Sequence, residues 1–107
     1  TMNDVQWVEA ARALAERVIR EGGATPEKRI NRMALILLSR VPAPQMADVL
    51  EKSFLEMQKH YAANPKDAHS LVNIGEKKRD SSIPEPELAA WTMIANEMLN
   101  LDATVNK

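Results

Sequence analysis

Apolar residues recur along most of this chain at spacings of three and four, the mark of helices that bury one face. The first stripe is Trp7, Val8, Ala11, Leu14, Ala15, Val18 and Ile19. Asn3 can cap this helix, with Gln6 three residues on in the place of a capping-box partner. Met2 and Trp7 occupy the positions of a hydrophobic staple. The helix is expected to run to about Glu21 and stop at Gly22-Gly23, residues that tolerate a left-handed turn. Glu16 and Arg20 form an i,i+4 pair expected on its wet side.

Thr25-Pro26 opens a second helix, with a hydroxyl cap and a proline at the first position. Its face is Ile30, Met33, Ala34, Leu37 and Leu38, and Leu35 and Ile36 are apolar too. A helix apolar nearly all round is expected to be central. It stops before Pro42 and Pro44. A third helix is expected from about Pro44 to Ala63, with Met46, Val49, Leu50, Phe54, Met57 and Tyr61 as its stripe. Asp48/Lys52 and Glu56/His60 are spaced as i,i+4 pairs on it.

Asn64-Pro65 caps a short fourth helix, with Ala68, Leu71 and Val72 inward and Gly75 as its stop. Glu76 to Ile83 reads as a polar loop. Pro84 and Pro86 open the last helix, whose stripe is Leu88, Trp91, Ile94, Ala95, Met98 and Leu99. No run alternates with period two between turn residues, so no strand is expected. The fold class is therefore all-α: one domain, a bundle of about five helices, four long and one short.

The 107 residues match the size of one ordinary domain. With 45% hydrophobic and 27% charged residues the composition is that of a folded globule. Fourteen basic and fifteen acidic residues give a net charge of −1. That balance argues against nucleic acid as a partner, because such affinity comes mainly from neutralised phosphates. It also provides no polybasic membrane anchor. The longest unbroken apolar run, Met33 to Leu38, is too short for a membrane span. The chain has no cysteine, which removes disulfides, thiolate catalysis and cysteine-ligated metals from this segment. No signal peptide is visible.

Candidate chemistry is sparse. His60 and His69 are the two histidines, and Asn64-Pro65 breaks the helix between them. Neither stands at a metal-binding spacing, so no cofactor or metal is expected in this segment. Met33, Met46, Met57, Met93 and Met98 fit core filling better than an adaptable groove, with Met93 off the stripe. Lys77-Lys78-Arg79 is a short basic run between Glu76 and Asp80, read as a solvated loop. Arg29, Arg32 and Arg40 lie along or just after the most apolar helix, where long cationic side chains need a partner or must snorkel. Asp102 falls near the apolar stripe of the last helix and close to its C-terminus, a place that disfavours an unanswered carboxylate. It is expected to pair with Arg29, Arg32 or Arg40 and lock the last helix in place. No catalytic residue is assigned.

Several stretches together resemble a known family. Met2-Asn3-Asp4 followed by Val8-Glu9-Ala10-Ala11-Arg12-Ala13-Leu14-Ala15 is one. Arg29-Ile30, Arg32 and Leu38-Ser39-Arg40-Val41-Pro42-Ala43-Pro44 are the next. Gly75-Glu76, Pro84, Glu87-Leu88-Ala89-Ala90-Trp91 and the closing Leu99-Asn100-Leu101-Asp102 complete the set. In this order they resemble the final section of a planctomycete-type helical domain of unknown function. That domain closes large secreted proteins, many of which also carry a planctomycete cytochrome c domain. The chain departs from the family pattern at Ser39, where glycine is preferred, and at Ala43, where serine or threonine is. Met46 replaces the usual glutamate and Ala103 an acidic residue. Loss of a capping box at the third helix should cost roughly 0.5–2 kcal/mol.

The resemblance implies the C-terminal section of a larger protein, secreted or in the periplasm or cell envelope, whose upstream part carries haem in many members of the family. It supplies no catalytic residue. The leading expectation is a non-catalytic helical packing or interaction module. It would dock on upstream domains of the same chain or on a protein partner. The second helix and the Pro42-Ala43-Pro44 loop are its candidate surfaces, and a homodimer of the isolated domain is a related expectation. A small intracellular DNA-binding or regulatory domain is one alternative, with the third helix as reader, although Asp48, Glu51 and Glu56 on its outer face would repel phosphates. Part of an enzyme is the other, with a site around Arg40, His60 or His69 completed by upstream residues.

Overall fold

The computed structural model describes residues 4–105, with side chains as far as residue 101. It contains α1 (Val5–Glu21), α2 (Pro26–Leu38), α3 (Pro44–Ala63), α4 (Pro65–Val72) and α5 (Glu85–Val105). There is no strand among the described residues. The radius of gyration is 12.8 Å, close to the roughly 13 Å of a single domain of about 100 residues.

Local chemistry sets most boundaries. The cap of α1 is Asp4, whose side chain accepts from the Gln6 amide at 2.8 Å. It takes the place expected for Asn3, which lies outside the described residues, as does Met2 of the expected staple. Gly23, with φ of 94°, turns the chain out of α1. Thr25 caps α2 through Oγ1, 3.2 Å from the Lys28 amide, with Pro26 at the first helical position. Ser39 ends α2 in the left-handed region at φ 59°. Ala43 precedes α3 and provides no side-chain cap, as its sequence implies.

Asn64 works differently from the expected cap of α4. Its carbonyl accepts from the Asp67 and Ala68 amides at 3.1 and 3.3 Å. Its side-chain amide instead turns back and donates to the His60 carbonyl at 2.8 Å. One residue thus closes α3 with its side chain and opens α4 with its backbone.

The central helix is α5, not α2. It packs against α1, α2, α3 and α4. Leu88, Ala89, Ala90, Trp91, Thr92, Ile94, Ala95, Asn96 and Met98 are all buried, a run that covers every side of the helix. The buried residues that lie outside the apolar stripe, Ala89, Ala90, Thr92 and Asn96, are small or polar and carry no strong hydrophobic signal. Ala89, Ala90 and Ala95 let neighbouring backbones come close. Thr92 satisfies its hydroxyl within the helix, donating to the Leu88 carbonyl at 2.7 Å. Asn96 accepts from Trp7 Nε1 of α1 at 2.9 Å. By contrast α2 buries Ile30, Met33 and Ala34 and leaves Leu35 exposed. Its apolar circumference serves the flank of the bundle.

The α4–α5 connection is held by a polar row on α1. The guanidinium of Arg12, 2% exposed, donates to the carbonyls of Val72, Ile74 and Lys77 at 2.7, 3.0 and 2.6 Å. Glu9 accepts from the Lys77 amide at 2.9 Å and Glu16 from the Asp80 amide at 2.6 Å. Arg20 meets the Asp80 carboxylate at 2.9 Å. Glu16 and Arg20 therefore do not pair on a wet face; both reach across to Asp80. Positions 9, 12, 16 and 20 share one helical side, so a single row of α1 staples the loop. Gly75 passes so close that an added Cβ would meet the Glu9 side chain at 2.6 Å, and its φ is 92°.

Candidate docking surface

The three arginines singled out in the sequence go to different places. Arg29 meets the start of α5: Nη1 lies 2.9 Å from Glu87 Oε1, and Nε donates to the Gly23 carbonyl at 2.9 Å. Its guanidinium also sits 5.7 Å from the centre of the Trp91 ring, within cation–π range. Arg32 faces Glu21, 3.3 Å away. Arg17 meets the same carboxylate at 3.3 Å, and the hydrogen bonds from Arg17 and then Arg32 hold the Glu21 carboxyl below its usual range. Arg40 is exposed and enters no ion pair among the described residues. The expected pairing through Asp102 falls on a side chain outside the described residues.

Each histidine meets a carboxylate of the helix that follows its own. His60 Nε2 is 3.5 Å from Asp67 Oδ2, so its acidic neighbour is Asp67 rather than Glu56. His69 Nδ1 is 2.8 Å from Glu85 Oε2 at the start of α5, and Arg79 Nη2 is 3.0 Å from the same oxygen. The hydrogen bond from His69 comes first in holding the Glu85 carboxyl below its ordinary range, opposed by partial desolvation and helped by Asn73 and Arg79. No described contact joins Arg40 to either histidine. Among the described residues, no three histidine, aspartate or glutamate side chains gather to hold a metal ion.

A hollow of about 460 Å³ opens between the starts of α2 and α5 and the middle of α3, walled by Phe54, Gln58, Pro86 and Trp91. Phe54 and Trp91 stack with centroids 4.2 Å apart, which closes its floor. Its charged residues, Arg29 and Glu87, already answer each other. Buried Trp91 Nε1 has no hydrogen-bond partner, an uncommon state for an indole N–H inside a protein.

The more distinctive surface lies at the opposite end of α5. The expected stripe of α3 is only half buried: Leu50, Phe54 and Tyr61 go inward, whereas Val49 is 59% exposed and Met46 36%. Val49 stands beside a hollow of about 390 Å³ whose other walls include Met46, Leu50, Glu97 and Leu101. A second hollow of about 190 Å³ continues from it, sharing Met46 and Leu101 and bounded by Leu38, Arg40 and Pro42. Val41, 56% exposed, stands on the same loop. The result is a shallow apolar trough along the α2–α3 loop, the first turns of α3 and the last turns of α5.

Charge marks both ends of this trough. Arg40 is at one end. At the other is Glu97, half-buried, accepting from the Ser53 hydroxyl at 2.5 Å and in no ion pair among the described residues. The sequence placed candidate docking residues on the second helix and the Pro42-Ala43-Pro44 loop; Val49, Glu97 and Leu101 were not among them. Helical spacing puts Val49 on the stripe because spacing alone does not tell a face covered by its own chain from one left open.

No helix among the described residues is long and apolar enough to cross a membrane. Comparison of the chain with family models, with curated protein sequences and with solved structures gives no match.

Proposed function

We propose that this chain is a non-catalytic helical interaction module, and that the trough between the α2–α3 loop, α3 and α5 is the surface it docks with. The observation carrying this reading is the pair of exposed side chains Met46 and Val49 along two hollows that share Met46 and Leu101, with exposed Val41 on the adjoining loop. Scattered apolar residues on a surface need no explanation, but a contiguous patch with polar ends is the usual anatomy of an interaction site. The trough has one cation and one anion at its ends, which gives an incoming surface a direction as well as an affinity.

The resemblance to the closing section of planctomycete-type secreted proteins supports a larger context. In it the module packs against upstream domains of its own chain or against a protein partner in the cell envelope or outside the cell. Any haem would belong to those upstream domains; the histidines of this segment are engaged with Asp67 and Glu85.

The test is site-specific photo-crosslinking in the protein as its host makes it. A photoreactive residue at Val49 should give discrete covalent adducts, while the same residue at Lys59, exposed near the other end of α3, should not. Equal labelling from both positions, or none from Val49, would sink the reading.

A further inference from the structure

We infer that the trough is self-complementary and that its occupant is a second copy of this chain, docked about a two-fold axis. This inference rests on the docking reading above. In an isologous interface each surface element meets its counterpart reciprocally: if residue i touches j of the partner, then j touches i of the partner. Such a surface must carry both halves of every pairing. This one does. Arg40 at one end and Glu97 at the other have opposite charge, and neither enters an ion pair within its own chain among the described residues. Laid antiparallel, Arg40 of one protomer faces Glu97 of its partner, and the second pairing follows by symmetry.

Shape argues the same way. The trough contains projections as well as hollows. Val49, 59% exposed, forms one wall of the hollow that Met46 and Leu101 also bound. Val49 of each protomer can enter the hollow of the other. Glu97 gains most from this arrangement. Its carboxylate is partly removed from water and, among the described residues, accepts from the Ser53 hydroxyl alone, so a guanidinium from the partner would supply the missing charge.

Sedimentation of the purified chain over a wide concentration range reads the proposal. The expected result is a reversible monomer–dimer equilibrium. Val49→Glu should shift it toward monomer without lowering the thermal midpoint, since the side chain projects into solvent in the monomer. Arg40→Glu and Glu97→Arg should each weaken self-association by on the order of tenfold, because like charges then oppose. The double variant R40E/E97R should return it to within about threefold of the original, since the charges are exchanged and the pairing kept. If Glu97→Arg disturbs the fold, Arg40→Glu mixed with Glu97→Gln serves instead, with heterodimer expected to lose against the parent chain.

A chain that stays monomeric at the highest soluble concentration overturns the proposal. So does a dimer indifferent to Val49→Glu, or one that the double exchange fails to restore. A monomer that still crosslinks specifically from Val49 to a different protein disproves the second copy and leaves the docking surface standing. A monomer with no specific crosslink disproves both.

Discussion

Arg12 Nη2 lies 2.6 Å from the carbonyl oxygen of Lys77, sixty-five residues along the chain, and Nη1 of the same side chain reaches Val72 and Ile74. One buried cation thus satisfies three carbonyls at the end of α4 and in the loop behind it. Carbonyls at a helix C-terminus lack intrahelical donors and carry partial negative charge. A guanidinium, planar and many-armed, can serve several of them at once where an ammonium cannot. This contact explains how the mostly polar loop 73–84 becomes a fixed part of the bundle.

Replacing Arg12 by methionine should therefore destabilise the fold by roughly 2–4 kcal/mol, the cost of losing charge-assisted bonds and leaving carbonyls unanswered. Arg12→Lys should recover only part of this. Chemical denaturation measures it. Hydrogen exchange of the amides of Lys77 and Asp80 should speed up more than that of α3. A loss below about 0.5 kcal/mol would mean water replaces the guanidinium without penalty.

Ser39 holds a left-handed conformation at φ 59° to end α2. An L-residue there is disfavoured by roughly 1 kcal/mol, a penalty glycine does not carry. Ser39→Gly should raise stability by up to about 1 kcal/mol, read as a higher denaturation midpoint. A lower midpoint would show that the serine side chain contributes something its backbone angle does not reveal.

The start of α3 lacks a side-chain cap because Ala43 precedes Pro44. Ala43→Ser supplies an acceptor for the free amides of the first turn and should stabilise by roughly 1 kcal/mol. Its effect should add to that of Ser39→Gly only in part, since the two positions share a short loop. An unchanged midpoint would argue that Pro44 already holds the turn rigidly enough.

Acid should loosen the α4–α5 junction. The Glu85 carboxyl is held below its ordinary value, first by the hydrogen bond from His69. A carboxylate whose folded pKa is depressed contributes stability above its unfolded pKa and loses it as the pH falls through the folded value. Below the ordinary carboxylate value of 4.5, stability should therefore decline with falling pH. Asp80, held down first by the Ser82 hydroxyl, adds to the same slope. Glu85→Gln should flatten that decline in a pH series of thermal melts. An identical slope in the variant would show that other carboxylates carry the dependence.

The helix inventory was legible in the chain itself, and for a local reason. Thr25-Pro26, Pro44, Asn64-Pro65 and Gly22-Gly23 act on backbone angles and hydrogen bonds within a turn of themselves, so the bounds of α2 and α3 and the end of α1 need no knowledge of neighbours. Periodicity likewise identified Val18, Ile30, Leu50, Phe54 and Trp91 as core. Tertiary structure alone decided the rest. Which helix is central depended on Ala89 and Ala90, off the apolar stripe, admitting other backbones, which hydrophobicity does not register. The role of Arg12 depended on carbonyls sixty residues away. Whether Val49 faces the core or the solvent depended on which other elements cover it, and the described residues leave Val49 and Met46 open near Arg40 and Glu97. Spacing along a helix records what a residue could bury; only the arrangement of the other helices determines what is there to bury it.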